Sequence, residues 1–458
     1  MTEFYRQPLW LIPLAIVALF MGLFTSLVAR ADQPVLPLET WQTDNGSQVL
    51  FYATDSLPMV DARMIFDAGS ARDPEGKGGT ASLTARLLDE GSTERDAKAI
   101  ADGFARAGAE FSASASLETT AVRLRSLTES DWLWPAVDLM AEVISSPAFN
   151  PDDVARERAR LLRAIEARQQ SASAVANDAL RQAAFGDHPY SHPTDGSRES
   201  VETIRHEDVR AFHQRYFVAK NAIVVIVGDL DRAQAERLAN RLTADLPAGE
   251  KPADLPPIPP LAESQTVRVD FPSEQSTVLV AFDGIARKHE DYLPLYVGNH
   301  IFGGNGFASR LMSELRQKRG LAYGTYSYLM PLRAGGRFVM GIQTRNSQVD
   351  NALTLMIDEL ERFLADGPTE QEVADSEANL VGGFPMRLNS NKKITEQIGA
   401  LAFLELPLDY FDDYIDRVRA IDAAEIKVAF DRHVDPARRI VVIVGPAAEE
   451  TEIDEGAE

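Results

Sequence analysis

The sequence predicts an α+β protein of two homologous α+β sandwich halves, joined by a Pro-rich linker and preceded by an N-terminal hydrophobic helix. A proline-rich segment, residues 246–264, divides the chain beyond its N-terminus into two stretches of similar length. Two stretches, 201–228 and 418–445, align without gaps, which indicates an internal duplication. Within each half the strands and helices are grouped and do not alternate strictly, which is typical of α+β folds.

The N-terminal segment is hydrophobic over residues 9–28, which contain no charged side chain. A run of about 20 apolar residues can cross a bilayer as a helix. The Ala-Arg-Ala at 29–31 has the A-x-A pattern of a cleavage site, so a cleaved signal peptide is the alternative. We therefore expect residues 1–31 to be a membrane anchor or a signal peptide. Either one places the remainder outside the cytoplasm, membrane-anchored or periplasmic.

The composition excludes several classes of function. The chain has 458 residues, a net charge of −23 and no cysteine. Such an acidic chain repels nucleic acid phosphates, so we expect no nucleic acid partner. Without cysteine there can be no disulfide, no zinc–thiolate site and no cysteine nucleophile. Part of the acidity lies in residues 449–458, whose composition indicates a solvated, disordered tail.

The duplication and the linker together predict the domain organisation. The two related stretches end in the same hydrophobic run, Ile223–Gly228 and Ile440–Gly445, and each is typical of a helix followed by a buried strand. We expect an N-terminal domain over residues 32–245, the linker over 246–264 and a C-terminal domain over 265–448.

In the first half, VLFYATD and MVDARMIFDAGS are predicted to be paired strands. The second of them alternates, with Val60, Ala62, Met64 and Phe66 on one face. Alternation of this kind is typical of a strand with one face against a core.

Helix signals follow in both halves. A long helix is predicted to begin at NPDDVARERARLLRAIEARQQ, with Asn150 as N-cap, Pro151 at the first helical position and two aspartates in the first turn. In the second half, STVLVAFDG, LAYGTYSYL and RFVMGIQT are predicted strands. Residues 309–318 are a predicted helix that Gly320 ends.

The order of these elements, with three stretches of sequence, resembles the pitrilysin/insulinase family of zinc peptidases, which includes the mitochondrial processing peptidases. The stretches are GGTASLTARLLDEGS at 78–92, FGDHPYSHPTDG at 185–196 and IFGGNGFASRLMSELRQKRGLAYGTYS at 301–327. The resemblance covers roughly residues 40–448, and SRLMSELRQKRGLAY is its most specific part. It implies that each half is a sandwich of the pitrilysin/insulinase type.

Active members of that family carry H-x-x-E-H on the first of these helices, where two histidines bind zinc and the glutamate is the general base. In this sequence Ser82 stands at the first histidine, Ala85 at the glutamate and Arg86 at the second histidine. The family's third ligand, a glutamate on the long helix, falls on Arg163 or Ala164. Serine is a poor zinc ligand and arginine repels the ion. We therefore expect no metal on this chain and no catalytic residue of its own.

The resemblance also implies a partner. In two-part members of the family, the half that lacks zinc contributes an arginine and a tyrosine to the active half, and these match Arg316 and Tyr323 in LRQKRGLAY. A guanidinium and a phenol near the attacked carbonyl would stabilise its oxyanion. The expected partner is a homologous H-x-x-E-H subunit that holds Zn²⁺, and the expected substrates are peptides. Alternatively, Arg316 pairs with a surface carboxylate and Tyr323 belongs to the core.

The remaining candidates carry no assigned chemistry. Side chains in this group are expected to be solvated (Arg319, His206 and His213) or to be structural (His188, His192, Tyr326 and Tyr328).

Two functions remain open. The first is a non-catalytic subunit of a zinc peptidase, inactive alone, that completes the site of its partner. The second is a non-enzymatic structural or peptide-binding scaffold of the same fold, for which the arginine–tyrosine pair has no use.

Overall fold

The computed structural model describes residues 34–447. The predicted anchor or signal peptide at 1–31 and the acidic tail at 449–458 lie outside the described residues. Within 34–447, none of the helices is both long enough and apolar enough to span a bilayer.

The first half is built on a six-stranded sheet. Its strands are β1 (Glu39–Gln42), β2 (Gln48–Ala53), β3 (Met59–Phe66), β4 (Glu110–Ala115), β5 (Thr120–Leu127) and β6 (Ala222–Gly228). They are arranged in the order β1-β2-β6-β3-β5-β4. Strands β2 and β6 are parallel, and the other neighbours are antiparallel.

The first half also contains helices, most of which share one hydrophobic core with this sheet. They are α1 (Thr80–Leu87), α2 (Ala97–Arg106), α3 (Ser130–Ser145), α4 (Pro151–Arg168), α5 (Ala172–Phe185), α6 (Arg198–Thr203), α7 (His206–Tyr216) and α8 (Arg232–Thr243). Helix α4 begins at Pro151 after Asn150, as the sequence predicts.

The second half is built on a five-stranded sheet. Its strands are β7 (Gln265–Asp270), β8 (Gln275–Asp283), β9 (Ala322–Leu332), β10 (Gly335–Arg345) and β11 (Ile440–Gly445), in the order β7-β11-β8-β10-β9. Its helices are α9 (Tyr292–Asn299), α10 (Val349–Asp366), α11 (Glu370–Gly383), α12 (Asn391–Phe403), α13 (Tyr414–Ala420) and α14 (Ala423–His433), with π-helical turns at His300–Gly304 and Met312–Gln317.

The two sheets share one topology, which confirms the duplication and the α+β class. The order β7-β11-β8-β10-β9 repeats the order β2-β6-β3-β5-β4, with the parallel pair at the same place. The identical hydrophobic runs are β6 and β11, and each lies between one parallel and one antiparallel neighbour.

The prediction that β2 and β3 pair with each other is wrong, because β6 lies between them. Val224 of β6 is opposite Val49 of β2 on one side and opposite Met64 of β3 on the other. Nearly every residue of β6 is buried, so the strand is most stable inside the sheet, where both faces are covered. The predicted face of β3 is confirmed, since its alternate residues enter one hydrophobic core.

The halves are joined by an exchange of helices. Helix α5 of the first half packs on β8 and β11 of the second sheet, and α12 of the second half packs on β3 and β6 of the first. In the second of these contacts Ile398 shares a core with Ile65 and Val225. Gly399 permits this approach, since a Cβ there would lie 2.5 Å from the Ile65 side chain. The two halves therefore share hydrophobic cores and form one compact unit.

The predicted linker has no helix or strand, and residues 244–264 cross from one sheet to the other. The linker is held in place by packing and by hydrogen bonds. Leu261 is buried, and Leu255 and Ile258 pack against the core that α5 forms with the second sheet. The carbonyl oxygens of Pro256 and Pro259 accept hydrogen bonds from His188 and Arg337. The domain boundaries at 245 and 264 stay predictions.

Candidate functional site

Helix α1 carries the three positions that correspond to the zinc-binding H-x-x-E-H motif of active family members. It packs against α4, α7 and β4, and it buries Leu83 and Leu87. Asp73 caps its N-terminus: the two carboxylate oxygens accept hydrogen bonds from the N–H groups of Gly79 and Ala81, each at 2.7 Å. Burial raises the pKa of Asp73 to about 7, although these backbone donors lower it. The carboxyl group therefore titrates near neutral pH.

The start of α1 is fixed against the loop that ends in Asp195 and Gly196. Ser82 Oγ donates a hydrogen bond to Asp195 Oδ1 at 2.6 Å. Gly196 has a φ of +73°, and a Cβ there would lie 2.1 Å from the carbonyl oxygen of Gly78. A Cβ on Gly79 would lie 2.7 Å from the carbonyl oxygen of Asp195. The stretches at 78–92 and 185–196 therefore meet through a backbone contact that requires glycine.

Four residues stand where active family members have the zinc ligands and the general base, and they do not suit zinc binding. Ser82 uses its hydroxyl group on Asp195, and Ala85 is buried and has no ligand atom. Arg86 and Arg163 are exposed cations on α1 and α4. Catalytic zinc takes three nitrogen, oxygen or sulfur ligands from protein side chains, and these residues do not supply them. That the chain binds no metal stays a prediction.

The glutamates of α4 near this position are engaged in ion pairs. Glu157 is buried and accepts a hydrogen bond from Arg160, and burial raises the pKa of Glu157. Glu166 pairs with Arg198 at the start of α6. Both carboxylates therefore have structural partners.

Arg316 and Tyr323 lie on either side of a chain reversal in the second half. Arg316 belongs to the π-helical turn Met312–Gln317, in which the N–H of Lys318 donates to the carbonyl oxygen of Ser313 at 3.0 Å. Turns of this kind are rare in proteins, and those that do occur are frequently found at functional sites. Gly320, with a φ of +61°, then returns the chain into β9 beside the turn.

The structure brings these two candidate residues together. The Arg316 guanidinium carbon lies 4.8 Å from the centre of the Tyr323 ring and 4.5 Å from that of Phe307. Tyr323 is 82% exposed and Phe307 is 64% exposed. Within the range 34–447 no carboxylate forms an ion pair with Arg316. In this part of the chain, therefore, Arg316 does not pair with a surface carboxylate and Tyr323 does not belong to the core, which were the alternative interpretations. The role of these two residues in the site of a partner stays a prediction.

Neighbouring residues behave differently from Arg316. Arg319, expected to be solvated, is held by Glu314: Nη1 donates to a carboxylate oxygen at 2.6 Å and to the carbonyl oxygen at 2.9 Å. Tyr326 stacks on Tyr328 and lies over Gly341, although 41% of Tyr326 is exposed. Tyr328 is half-buried and packs against the core that α5 forms with the second sheet, whereas Tyr326 lies on the strand surface.

Comparisons with known proteins match both halves. The family model described as insulinase (peptidase family M16) matches residues 49–198, and the model described as peptidase M16 inactive domain matches residues 203–380. A solved structure of the peptidase M16 inactive domain from Pseudomonas fluorescens is 37% identical, with a TM-score of 0.86. The match covers 90% of this chain and 98% of that one. The chain belongs to the peptidase M16 family.

This assignment confirms the resemblance to the pitrilysin/insulinase type. Other M16 relatives include an uncharacterised zinc protease of Streptomyces coelicolor, 26% identical over 86% of this chain and 87% of that protein. The Helicobacter pylori protein YmxG, named a non-peptidase homologue, is 24% identical over 92% and 95%. The beta subunit of the mitochondrial-processing peptidase of Blastocladiella emersonii is 24% identical over 88% and 87%. Because these names include both proteases and a non-peptidase, M16 membership alone does not decide activity.

Two of the histidines considered in the sequence of this M16 chain lie in the interior. His188 is buried, as expected for a structural residue, with Nε2 2.7 Å from the carbonyl oxygen of Pro256. The expectation that His213 is solvated is wrong. Its Nε2 donates to the carbonyl oxygen of Ile144 at 2.7 Å, and burial lowers the pKa of His213 to about 4. The reason is that the imidazole lies between the rings of Phe149 and Phe217 and reaches the end of α3 at Ile144.

Sequence reasoning missed a cluster of His289, Asp291 and His433, whose ligand atoms lie within 4.8 Å of one another. Asp291 and His433 are 142 residues apart in the sequence, so no local pattern connects them. Asp291 Oδ2 accepts hydrogen bonds from His433 at 2.7 Å and from Arg432 at 2.6 Å. Burial raises the pKa of Asp291, but these partners lower it below its ordinary value. Because Arg432 already neutralises the carboxylate, the cluster is an ion-pair network between two helix ends.

Proposed function

We propose that this chain is the non-catalytic subunit of an M16-type zinc peptidase. It pairs with a homologous subunit that carries H-x-x-E-H and the zinc ion, and the pair encloses an unfolded peptide. Arg316 and Tyr323 complete the site of the partner by binding the scissile carbonyl. The chain holds no metal and has no activity alone. Its hydrophobic segment at 9–28 anchors or exports it, so that it acts outside the cytoplasm.

The observation that carries this proposal is the exposed contact between Arg316 and Tyr323. The guanidinium lies between two exposed rings, those of Phe307 and Tyr323, and makes no ion pair in the part of the chain that the structure describes. An arginine that serves only stability would gain from a carboxylate, as Arg319 does from Glu314. Among residues 34–447 nothing accepts a hydrogen bond from the Arg316 guanidinium, so its N–H groups are available to a ligand.

The chemistry of the pair suits a carbonyl under attack. The oxygen of a peptide carbonyl becomes negatively charged when a nucleophile adds to its carbon. Guanidinium N–H groups and a phenolic O–H are both hydrogen-bond donors. In a closed site each donor contributes about 2.7–4 kcal/mol, by analogy with measured oxyanion-hole donors. The cation–π contact restrains Arg316 before substrate arrives, which reduces the ordering cost on binding.

The edge strands offer a way to hold an extended peptide. Strand β4 lies at one edge of the first sheet, and β9 lies at one edge of the second. A peptide can add to such an edge as a further strand, with main-chain hydrogen bonds. Because Tyr323 is at the start of β9, a peptide on that edge would run past the arginine–tyrosine pair.

A scaffold function is the second candidate. It is favoured by the name of the Helicobacter pylori relative, a non-peptidase homologue, and by the lost ligand positions on α1. A scaffold would bind peptides or other subunits without a role for Arg316 in turnover.

The test is peptide cleavage by the chain alone and by the chain purified with its nearest H-x-x-E-H relative. Wild type, Arg316→Ala and Arg319→Ala are compared, because Arg319 lies next to the same turn but is held by Glu314. We expect the chain alone to be inert and the pair to cleave. Arg316→Ala should lower kcat/KM of the pair by about 10²–10³-fold, and Arg319→Ala should leave it near wild type.

Two results would favour the scaffold. One is that no H-x-x-E-H protein associates with the chain. The other is that the pair cleaves equally well with Arg316→Ala and with Arg319→Ala.

A further inference from the structure

A cavity of about 200 Å³ lies in the second half, and its lining does not include Arg316 or Tyr323. It is bounded by α9, α12 and the segment that leads into α13. We call it the tyrosine–arginine cavity after six of its side chains, and Gln397 is the other polar residue of the lining. The six are Arg287, Arg387, Tyr292, Tyr296, Tyr410 and Tyr414.

Two guanidinium groups line the tyrosine–arginine cavity without a carboxylate. In the described chain, neither aspartate nor glutamate contributes to the lining. Arg287 Nη2 donates to Tyr410 Oη at 3.0 Å, and Arg387 donates to Tyr296 Oη. An arginine has five N–H donors, and one tyrosine oxygen uses only one of them. The cavity therefore concentrates positive charge and free donors within a chain whose net charge is −23.

Tyrosine rings hold both guanidinium groups in place. The Arg287 guanidinium carbon lies 3.7 Å from the centre of the Tyr292 ring and 5.1 Å from that of Tyr410. That of Arg387 lies 5.6 Å from the centre of the Tyr414 ring. Cation–π contacts attract the guanidinium without occupying its N–H groups and without cancelling its charge. Each arginine is thus positioned while its donors remain available.

One hydroxyl group of the cavity is buried without a partner. Tyr414 is 3% exposed, and its Oη has no hydrogen-bond partner among the described residues. Burial raises the pKa of Tyr414 to about 12, so the hydroxyl keeps its proton at neutral pH. Buried hydroxyl groups in native proteins are nearly always satisfied, and an exception needs an explanation. A ligand that accepts a hydrogen bond in the cavity would supply it.

The rest of the lining limits the kind of ligand. Leu401, Leu404, Leu406 and Phe411 form an apolar wall beside the arginines. The volume is below the roughly 300–1,000 Å³ of sites for drug-sized molecules. A fitting ligand is therefore small, with an oxyanion at one end and an apolar group at the other.

We propose that the tyrosine–arginine cavity binds a small organic carboxylate. The carboxylate contacts Arg287 and Arg387 and accepts the hydrogen bond of the Tyr414 hydroxyl, and the apolar group packs against Leu401 and Phe411. A free carboxylic acid and the C-terminal residue of a short peptide share this chemistry. The proposal does not depend on the function proposed for Arg316 and Tyr323.

Calorimetric titration of the full chain tests it. The probes are phenylacetate, its neutral isostere phenylacetamide, and Gly-Gly-Phe with a free or an amidated C-terminus. We expect saturable binding of phenylacetate that weakens with salt, and binding of the amide at least about tenfold weaker, because only the acid forms charge-assisted hydrogen bonds. Tight binding of Gly-Gly-Phe identifies a peptide C-terminus as the source. Binding of phenylacetate alone identifies a free acid.

Variants separate this site from non-specific attraction. Tyr414→Phe should bind phenylacetate about threefold to tenfold more weakly and keep or raise the wild-type melting temperature, because the hydroxyl has no partner to lose among the described residues. Arg387→Gln should weaken binding by at least about tenfold. Arg417→Gln is the control, because Arg417 lies 5.3 Å from the Tyr410 ring but pairs with Asp413 and does not line the cavity.

Equal affinity for the acid and its amide, or no saturable binding at about 10 mM, would overturn the proposal. So would wild-type affinity in Tyr414→Phe. If Arg387→Gln fails to fold, Tyr414→Phe and the comparison of acid with amide still decide the question.

Discussion

The Arg316 guanidinium carbon lies 4.8 Å from the centre of the Tyr323 ring, across a chain reversal at Gly320. The contact is made by backbone geometry, because the π-helical turn and the start of β9 run side by side. Glu314, the nearest carboxylate along the turn, is used by Lys318 and Arg319 instead. The arrangement leaves a cation and a phenol together on an open surface.

Tyr323→Phe tests the phenol separately from the ring. The substitution keeps the cation–π contact with Arg316 and removes one hydrogen-bond donor. We expect kcat/KM of the complex between this chain and its H-x-x-E-H subunit to fall by about 10²-fold or more, measured on a fluorogenic peptide. Tyr326→Phe is the control, because that ring covers Gly341 and should matter little for turnover. Equal activity of the two variants would remove the phenol from the proposed role.

Gly196→Ala tests the backbone contact between α1 and its neighbouring loop. A methyl group there meets the carbonyl oxygen of Gly78 and also forces a left-handed backbone on alanine. Gly76→Ala is the matched control, because its φ of +70° is similar but nothing lies within 4 Å of the added Cβ. We expect Gly76→Ala to lower the free energy of unfolding by about 1–2 kcal/mol, and Gly196→Ala by about 2 kcal/mol more. Urea denaturation measures both, and equal losses would contradict the contact.

His213 should make stability depend on pH between about 6.5 and 4. Its pKa is about 4 in the folded chain and near 6.5 in the unfolded chain, so the unfolded chain binds the proton first as the pH falls. The folded state is thus destabilised on acidification, by up to about 3 kcal/mol, and the loss is absent above pH 6.5.

Urea denaturation of wild type and His213→Gln at several pH values measures this contribution. The stability advantage of wild type over the variant should shrink from pH 7 towards pH 4.5, because glutamine does not titrate. His206→Gln serves as the control, since His206 is partly exposed on the same helix. A constant difference between wild type and His213→Gln across this range would refute the assignment.

Arg337→Met tests how the linker is fixed. Arg337 is 4% exposed and donates to the carbonyl oxygens of Ala184 at 2.7 Å and Pro259 at 3.0 Å, and to Asp283 at 3.1 Å. We expect its loss to lower the free energy of unfolding by about 3 kcal/mol, because buried acceptors lose their donor. Proteolysis within 246–264 should also become faster. Arg345→Met, at the exposed end of the same strand, should change neither quantity.

The sequence by itself determined the architecture at the level of repeats and local elements. The identical runs Ile223–Gly228 and Ile440–Gly445 predicted the duplication, and the structure places them at equivalent positions in two sheets of one topology. The start of α4 and the face of β3 were also predictable, because capping residues and alternation are local properties of the chain. The substitutions at Ser82, Ala85 and Arg86 were visible without coordinates, since they depend only on residue type.

Only the tertiary structure decided which distant surfaces meet. Strand β6 lies between β2 and β3, and the face of α7 that carries His213 is buried. Helix α5 packs on the second sheet and α12 packs on the first. The availability of Arg316 and the charge of the tyrosine–arginine cavity are likewise properties of the fold. The physical reason is that a local pattern shows that a face is apolar or a side chain charged but not which partner covers it. That choice depends on the burial and pairing free energy of the whole chain.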